Sequence, residues 1–341
     1  MTQTHMAREV AEIPAAARRL LGEGRGAIEA AAADLRDVNP AFVSTVARGS
    51  SDHAATYLKY ACELSLGLPV ASIGPSVASI FGAKLKLGGA ACFSISQSGQ
   101  SPDIVAMAQA ASDAQACTLA ITNQPDSPLA RASRNTVPIM AGPELSVAAT
   151  KTFVTSALAG LAVLAHWGRD DALIAAIDAL PDQLEAAARL DWSPLRDALL
   201  ARDSMYVLGR GPSYAMACEA ALKFKETCGI HAEAYSSAEV LHGPVEIVGG
   251  DYPVLVLAAR DAAEPAAMGV AEQLATRGAQ VFATSDMAKA ATRLPFVATS
   301  HPLTEPLALI TGFYAFIEQL ARARGRNPDT PANLRKVTET T

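Results

Sequence analysis

Short apolar runs that end at Gly, Ser, Thr or Asn alternate with Ala-rich stretches along most of the chain. The runs are continuous rather than alternating with polar residues, which is typical of strands buried on both faces of a parallel sheet. A helical stretch at 173–200, broken by Pro181 and Pro194, separates two sets of them. The predicted strands are 41–47, 90–95, 116–121 and 136–140 in the first set, and 204–208, 253–258, 279–284 and 296–299 in the second.

Strand, turn and helix repeated in this order predict the α/β class, with a doubly wound parallel sheet in each half. An internal repeat supports a duplication, because RGSS at 48–51 matches RGPS at 210–213. Each match precedes a helix with a Lys and then a Glu: Lys59 and Glu63, and Lys223 and Glu226. We expect an N-terminal helical segment at 1–40, domains at 41–180 and 181–325, and a C-terminal tail at 326–341.

Composition narrows the class of partner. Half of the 341 residues are hydrophobic, 18% are charged, and the net charge is −6 without a basic stripe, so nucleic acid and anionic membranes are poor partners. A small anion remains possible, because clustered backbone N–H groups bind phosphate without a basic protein. The N-terminus lacks the apolar core of a signal peptide, so we expect a soluble, cytoplasmic protein. Five scattered cysteines without a CxxC motif predict buried, reduced thiols.

The segment SQSGQSPD at 96–103 joins a predicted strand to a helix. Ser101 suits the N-cap and Pro102 the first helical position, so the helix N–H groups would face the carboxyl end of the sheet together with hydroxyl and amide side chains. This arrangement favours phosphate binding, although no GK[ST] motif is present and a well-capped turn that binds nothing is the alternative. RGSS at 48–51 could supply a second wall of hydroxyl donors.

Glu219, Lys223 and Glu226 lie at i, i+4 and i+7 of a predicted helix at 215–227, and therefore on one face. A solvated stripe is one interpretation. The other is a catalytic face, where Glu moves a proton next to a carbonyl and Lys stabilises the developing oxyanion.

Residues 229–244 contain two His, two Glu and a Tyr, which suggests a metal site or a catalytic loop. The spacing matches no HExxH-type motif, so a catalytic loop is favoured, with His242 either an acid or base or simply exposed. At the start of the predicted helix that runs into 153–165, Thr150 or Lys151 could contact a ligand or cap the helix, and the polar tail at 325–341 holds Lys336.

Together these segments resemble the sugar isomerase (SIS) family, and specifically the isomerase half of glutamine–fructose-6-phosphate amidotransferase, from about residue 40 to the C-terminus. The resemblance implies two tandem flavodoxin-like SIS domains and a tail over the active site. Eight motifs in order carry it: RGSS at 48–51, SQSG at 96–99, VAATK at 147–151, GRG at 209–211, EAALKFKE at 219–226, HAEAY at 231–235, HGP at 242–244 and NLRK at 333–336.

The resemblance also implies roles for individual residues. The sugar phosphate would be held by Ser51, Ser96, Gln97, Ser98 and Ser101, with Ser50, Val147 and Ala148 near the sugar chain. Glu226 would carry the proton between C1 and C2, Lys223 would stabilise the enolamine oxygen, and Glu219 would support Lys223. His242, reaching across from the other subunit of a homodimer, would open the ring, and Lys336 would engage the open-chain ketose. No metal or organic cofactor is implied.

Departures from the amidotransferase pattern favour the stand-alone branch of the family, which includes isomerising glucosamine-6-phosphate deaminases. Met1 leads almost directly into the sugar domain and the first cysteine is Cys62, so we expect no glutamine hydrolysis on this chain. SQSG is followed by Gln100-Ser101-Pro102, and Ser76-Val77-Ala78-Ser79 lacks the acidic and aromatic residues of the synthase. The leading hypothesis is hydrolysis of glucosamine-6-phosphate to fructose-6-phosphate and ammonia.

Four alternatives to this reaction stay open. The substrate could be galactosamine-6-phosphate or a fructosamine-6-phosphate. The chain could be a synthase-like isomerase that lacks the glutaminase domain, or a non-catalytic sugar-phosphate-binding module.

Overall fold

The computed structural model describes residues 3–334 and residue 336. The described chain forms two compact units, each discontinuous in sequence. The first unit consists of Ile13–Glu144 and Lys151–Asp178. The second unit contains residues 3–12, the segment Leu145–Thr150, and the described residues of 179–336. The domain boundaries expected from the sequence remain predictions.

The first unit is built on a five-stranded parallel sheet in the order β2-β1-β3-β4-β5. Strands β3 and β4 are buried along their whole length, which explains their uninterrupted apolar sequences. The doubly wound, flavodoxin-like strand order predicted for this half is confirmed. The strands are β1 Phe42–Val46, β2 Val70–Ser72, β3 Ala90–Ile95, β4 Cys117–Thr122 and β5 Asn135–Pro138.

Helices cover this sheet, and one of them is buried almost all round. Helix α7 packs against α2 and α3, and an apolar helix buried on every side is typical of a core position. A Cβ atom at Gly160 of α7 would lie 2.2 Å from a methyl carbon of Leu58 in α3, so the two helices approach at a glycine. The helices of the first half are α1 His5–Glu23, α2 Arg25–Val38, α3 Ser50–Leu66, α4 Ser76–Ser79, α5 Pro102–Asp113, α6 Pro128–Ala132 and α7 Lys151–Gly168.

The second unit repeats the same sheet. Its parallel strands lie in the order β7-β6-β8-β9-β10, which is the order of the first sheet transposed by five strands. The strands are β6 Ser204–Gly209, β7 His231–Ser236, β8 Pro253–Val256, β9 Gln280–Ala283 and β10 Thr292–Arg293. The remaining helices are α8 Asp171–Ala187, α9 Ser193–Leu199, α10 Pro212–Lys223, α11 Glu264–Thr276 and α12 Glu305–Ala323.

Two local predictions were wrong. Residues 296–299 form no strand, because the N–H of Thr299 donates to the side chain of Glu305 instead of to a neighbouring strand. Pro181 does not break the connecting helix: it lies inside α8, where Leu180 and Leu184 are fully buried and their packing outweighs one lost hydrogen bond. Pro194 instead lies in the first turn of α9.

Most of the cysteines lie where the sequence predicts them, in the interior of the protein. No helix in the described ranges is long and apolar enough to cross a membrane. Four of the five cysteines are buried and none forms a disulfide. Burial raises the pKa of Cys62 to about 12 and the pKa values of Cys117 and Cys228 to about 11, so these thiols stay protonated near neutral pH.

Candidate active site

In the first unit, the two predicted phosphate loops follow the adjacent strands β1 and β3, where the connections leave the sheet in opposite directions. Ligands of open α/β sheets bind at this point. Gly49 has φ 55°, a backbone angle that favours glycine, and it turns the chain directly into α3. Ser50 and Ser51 therefore lie in the first turn of α3, where backbone N–H groups have no acceptor within the helix.

The serine loop, residues 96–101, is shaped by its own hydroxyl groups. Ser96 Oγ accepts a hydrogen bond from Gly99 N–H, and Ser98 Oγ accepts one from Gln100 N–H, each at 3.2 Å. A hydroxyl that accepts in this way keeps its proton for donation to an anion. Gly99 has φ 61°, and a Cβ there would lie 2.1 Å from Ser127 Oγ, so only glycine fits. Gln97, between the two serines, is half-buried.

An ion pair links the loops that follow β1 and β3. Arg48 precedes Gly49, and its guanidinium contacts Asp103 Oδ2 at 2.7 Å, while Asp103 Oδ1 accepts from Ile104 N–H at 2.8 Å. Asp103 is 1% exposed and lies in the first turn of α5. Ser101 occupies the predicted N-cap position of α5, but its hydroxyl oxygen accepts no capping bond from the helix. The structure thus brings the two serine-containing turns together.

In the second unit, Glu219, Lys223 and Glu226 converge as their spacing predicts. Lys223 Nζ lies 3.3 Å from Glu219 Oε1 and 2.5 Å from Glu226 Oε2. The side chains of Lys223 and Glu219 are fully buried, whereas that of Glu226 is 20% exposed. Glu226 is therefore the member of the trio that solvent or a substrate can reach.

The backbone beneath the trio is not the regular helix at 215–227 that the pattern predicts. Helix α10 ends at Lys223 and continues as a π-helical turn, Phe224–Cys228, which closes at Gly229 with φ 63°. Such π-helical turns are rare and occur frequently at functional sites. The turn carries Glu226 back toward Lys223, and the hydroxyl of Thr227 donates to Lys223 O at 2.8 Å.

The charge state of the trio follows from its surroundings. Burial lowers the pKa of Lys223, but Glu219 and Glu226 together raise it by more, so the pKa lies above its ordinary value of 10.5. The hydroxyl of Tyr314 donates to Glu219 Oε1 at 2.9 Å in a fully buried position. This arrangement holds an ammonium beside an accessible carboxylate, the pair needed to move a proton next to a carbonyl and to stabilise an oxyanion.

The sequence suggests a single loop at 229–244, but the structure shows a strand followed by a short turn. Residues 231–236 form the edge strand β7, on which His231 and Glu233 are exposed. His242 ends a short 3-10 turn, Glu239–His242, before Gly243 with φ 142°; its side chain is exposed and forms no hydrogen bond with the described chain. No cluster of three metal-binding side chains occurs among residues 3–334 and 336.

The remaining predicted residues meet in another part of the second unit. Lys336 Nζ donates to Ser146 O at 2.7 Å, beside Val147 and Ala148. The N–H of Val147 donates to Asp329 O at 3.1 Å, and the side chain of Ala148 is buried. Lys151 begins α7 in the first unit and is buried. Arg335, within the NLRK motif, lies outside the described residues.

Sequence reasoning missed three partners of the predicted site residues. Tyr314 donates to Glu219, the carbonyl of Asp329 accepts from the N–H of Val147, and the carboxylate of Glu9 accepts from the N–H groups of Leu145 and Ser146. Tyr314 lies in an apolar helix, where its hydroxyl gives no pattern signal. Asp329 and Glu9 lie near opposite ends of the chain, and no local spacing connects them.

The sequence profile of the SIS domain matches residues 41–166 and 198–293, more than half of the chain. The chain belongs to the SIS domain family. Both halves of the SIS match contain one of the parallel sheets described above.

Known SIS proteins similar to this chain include an isomerising glutamine–fructose-6-phosphate aminotransferase of Symbiobacterium thermophilum, 33% identical over 86% of this chain and 51% of that protein. The chain spans about half the length of such curated relatives. A solved protein of Silicibacter pomeroyi DSS-3, provisionally named a phosphosugar isomerase, is 56% identical with a TM-score of 0.94 over 96% of this chain and 100% of that one.

A second solved structure shares the fold at lower identity. The C-terminal domain of glucosamine-fructose-6-phosphate aminotransferase from Francisella tularensis has a TM-score of 0.85 and 24% identity. The match covers 97% of this chain and 99% of that domain.

Proposed function

We propose that the protein is a phosphosugar isomerase that acts on an amino-sugar phosphate and converts glucosamine-6-phosphate and water into fructose-6-phosphate and ammonia. The observation that carries this proposal is the buried Lys223 ammonium, 2.5 Å from the partly exposed carboxylate of Glu226. Membership in the SIS family and similarity to proteins named for fructose-6-phosphate and phosphosugars support the substrate class.

In the proposed mechanism, the phosphate binds to the serine loop and to the first turn of α3. Ser96, Ser98 and Ser101 donate hydroxyl protons, while Ser51 and Gln97 add polar contacts, and the N-terminal ends of α3 and α5 favour a negative charge. We assign the sugar chain to Ser50, Val147 and Ala148 on the resemblance to the SIS family alone. The phosphate end thus fixes the register of the substrate, and binding energy at that end orients the reacting carbons.

The chemistry takes place on C1 and C2. His242 opens the pyranose ring, and Glu226 then removes the proton from C2 to give an enolamine and returns it to C1. Lys223 stabilises the charge that develops on the C1 oxygen, and Lys336 engages the open-chain ketose form. The product is a C2 imine, and water hydrolyses it, which releases ammonia and leaves the C2 ketone of fructose-6-phosphate. No metal or organic cofactor takes part in these steps.

Glu219 has a supporting role in this scheme. Its carboxylate is fully buried and receives hydrogen bonds from Tyr314 and Lys223, so it fixes the ammonium without reaching solvent. Two carboxylates therefore share one ammonium, and only the exposed one is in a position to exchange a proton with substrate.

The test is direct turnover. The purified chain is incubated with glucosamine-6-phosphate, without glutamine or added metal, and ammonia and fructose-6-phosphate are both followed. Equal release of both products is expected, and unphosphorylated glucosamine, the matched control, should give neither. Release from galactosamine-6-phosphate or a fructosamine-6-phosphate but not from glucosamine-6-phosphate would reassign the substrate. Binding detected by thermal shift without turnover of any of these sugars would indicate a sugar-phosphate-binding module.

A second candidate is the isomerase step of glucosamine-6-phosphate synthesis, favoured by the 33% identity to a glutamine–fructose-6-phosphate aminotransferase. The same residues serve both directions, because the enolamine is common to them. Incubation of the chain with fructose-6-phosphate and ammonia, beside the glucosamine-6-phosphate assay, compares the candidates: synthesis of glucosamine-6-phosphate at a higher kcat/KM than its hydrolysis would favour the synthase-like isomerase.

A further inference from the structure

Helix α1 is tied to two distant segments of the second unit by buried or partly buried carboxylates. Glu9, 4% exposed, accepts hydrogen bonds from the N–H groups of Leu145 and Ser146. The carboxylate of Asp329 accepts the N–H groups of His5 and Met6 at 2.8 Å each, and so caps the start of α1. A negative group at this position also suits the helix dipole.

The same segments are joined to one another through backbone groups. The carbonyl of Asp329 accepts the N–H of Val147 at 3.1 Å, and Ser146 Oγ donates to Pro328 O at 3.4 Å. Ser146 is therefore held on one side by Glu9 through its N–H, and on the other side by Lys336, which donates to its carbonyl at 2.7 Å. We call the group formed by Glu9, the segment 145–150, Asp329 and Lys336 the tail clasp.

The clasp places opposite charges on either side of one residue. Hydrogen bonds with one charged partner are stronger than neutral ones. Lys336 donates to Ser146 O at 2.7 Å, whereas Ser146 N–H lies 3.3 Å from both carboxylate oxygens of Glu9, whose closest contact is with the N–H of Leu145. An ammonium has three protons, and Ser146 O takes one of them. If the Glu9 carboxylate is removed, the N–H groups of the buried Ser146 and the exposed Leu145 lose their acceptor, and the segment that carries the Lys336 contact can shift.

From this geometry we propose that Glu9 and Asp329 are positioning residues: they hold the segment 145–150 so that its carbonyl at Ser146 fixes the ammonium of Lys336 in its working position. The inference rests on the proposed function, in which Lys336 engages the open-chain ketose. It adds that the first helix of the chain, which contacts no substrate in this scheme, controls a residue near the other end.

The test compares Glu9→Ala and Glu9→Gln with the wild-type full chain. Glutamine keeps a neutral acceptor of the same shape, so it should rescue most of what alanine loses. Misplacement of Lys336 should lower kcat of Glu9→Ala roughly 10- to 100-fold and leave KM nearly unchanged, because the phosphate contacts are intact. Glu23→Gln, an exposed carboxylate at the end of the same helix, is the matched control and should behave as wild type.

A second readout does not depend on turnover. Reductive methylation by formaldehyde, followed by mass spectrometry, measures the reactivity of the Lys336 amine. Its rate should rise several-fold in Glu9→Ala, with Lys59, a partly exposed lysine of the first unit, as the internal reference. Asp329→Asn should show the same change in labelling to a smaller degree, and it serves if Glu9→Ala does not fold.

The outcomes separate the two proposals. Faster labelling of Lys336 together with a lower kcat supports the clasp. Unchanged labelling, or faster labelling with unchanged kcat per folded molecule, overturns it. If the wild-type chain turns over none of the phosphosugars, the proposed function has failed, and labelling alone decides whether Glu9 holds Lys336.

Discussion

Gly49 and Gly211 begin α3 and α10 with nearly the same backbone angles, φ 55° and ψ −133° in the first unit and φ 58° and ψ −136° in the second. Each follows an arginine at the carboxyl end of the strand next to the crossover point of its sheet. The two units therefore share a turn as well as a strand order. This agreement in backbone confirms the duplicated fold that the RGSS and RGPS repeats predict.

The loops beside these turns differ. In the first unit, the loop after β3 presents hydroxyl groups that keep their protons. In the second unit, the corresponding loop after β8 is occupied by the protein itself: Glu305, 1% exposed, accepts from the N–H groups of Arg260 and Thr299 and from the guanidinium of Arg260. An internal carboxylate thus satisfies donors that a bound anion would otherwise use.

The helices that follow the two glycines also differ, because the lysine of α3 lies at the surface and that of α10 is buried. Lys59 and Glu63 of α3 are 4.0 Å apart and partly exposed, a surface pair of small energetic value. Lys223, their counterpart on α10, is fully buried between two carboxylates. The comparison teaches that one fold occurs twice, whereas the hydroxyl-rich loop follows β3 of the first unit but not its counterpart β8, and the lysine buried between two glutamates lies on α10 of the second unit but not on its counterpart α3.

The largest expected effect concerns this charged pair. Glu226→Gln cannot carry a proton, so turnover of glucosamine-6-phosphate should fall by roughly 10²- to 10⁴-fold. Glu63→Gln, the same change at the counterpart in the first unit, should leave turnover within about twofold because the pair is a surface one. Steady-state kinetics and sugar-phosphate binding measure both. Equal losses in the two variants would remove the distinction between the helices.

The next effect concerns the loop after β8, whose donors are satisfied by Glu305, and the serine loop after β3. Glu305→Ala leaves two N–H groups and a guanidinium without their acceptor, and should lower the free energy of unfolding by about 2–4 kcal/mol. Ser98→Ala loses one hydroxyl contact and should cost only about 0.5–1.5 kcal/mol, but it should weaken binding of inorganic phosphate. Urea denaturation measures the free energy of unfolding of both variants, and titration with inorganic phosphate measures binding to Ser98→Ala. A stability loss at Ser98 as large as that at Glu305 would contradict the comparison.

The smallest effect should be the same in both units. Gly49→Ala and Gly211→Ala force a side chain into a backbone region that favours glycine, at about 1–3 kcal/mol each. Apart from the adjacent residues of the chain, no atom of the described structure lies within 4 Å of a Cβ at either position, so the cost is one of backbone conformation. Gly26→Ala, in an ordinary helical position, should instead stabilise by about 0.4–1 kcal/mol. Thermal unfolding of the two variants measures both costs. Because the two turns have the same geometry, unequal losses of stability would contradict this prediction.

Much of the fold follows from local patterns. Strand β3 has the bounds expected from its continuous apolar run, 90–95, and β6 and β8 begin at their expected residues. Strands β2 and β7 escaped prediction because β2 is three residues long and β7 alternates exposed and buried positions with His and Glu on its outer face. Edge strands carry less apolar sequence, so periodicity says little about them.

Some features of the candidate site also follow from local patterns in the sequence, and others do not. The convergence of Glu219, Lys223 and Glu226 follows from helical spacing, although the π-helical turn does not, because an extra residue in a turn leaves no pattern in the sequence. Contacts such as Glu305 with Arg260, or Glu9 with Ser146, join residues that are far apart in the chain. They depend on how packed elements meet, which one sequence does not encode in any local motif.

The order of synthesis gives the discontinuous second unit a further consequence. The N–H of His5 and the carboxylate of Asp329 are 324 positions apart, so the start of α1 gains its cap only after residue 329 has left the ribosome. The entropy cost of closing a loop grows only slowly with its length, so the long separation costs little stability. The time needed to synthesise the intervening residues, by contrast, grows in proportion to their number. The N–H groups of His5 and Met6 therefore wait for Asp329 during synthesis, and a chain that stops before residue 329 leaves them without this partner.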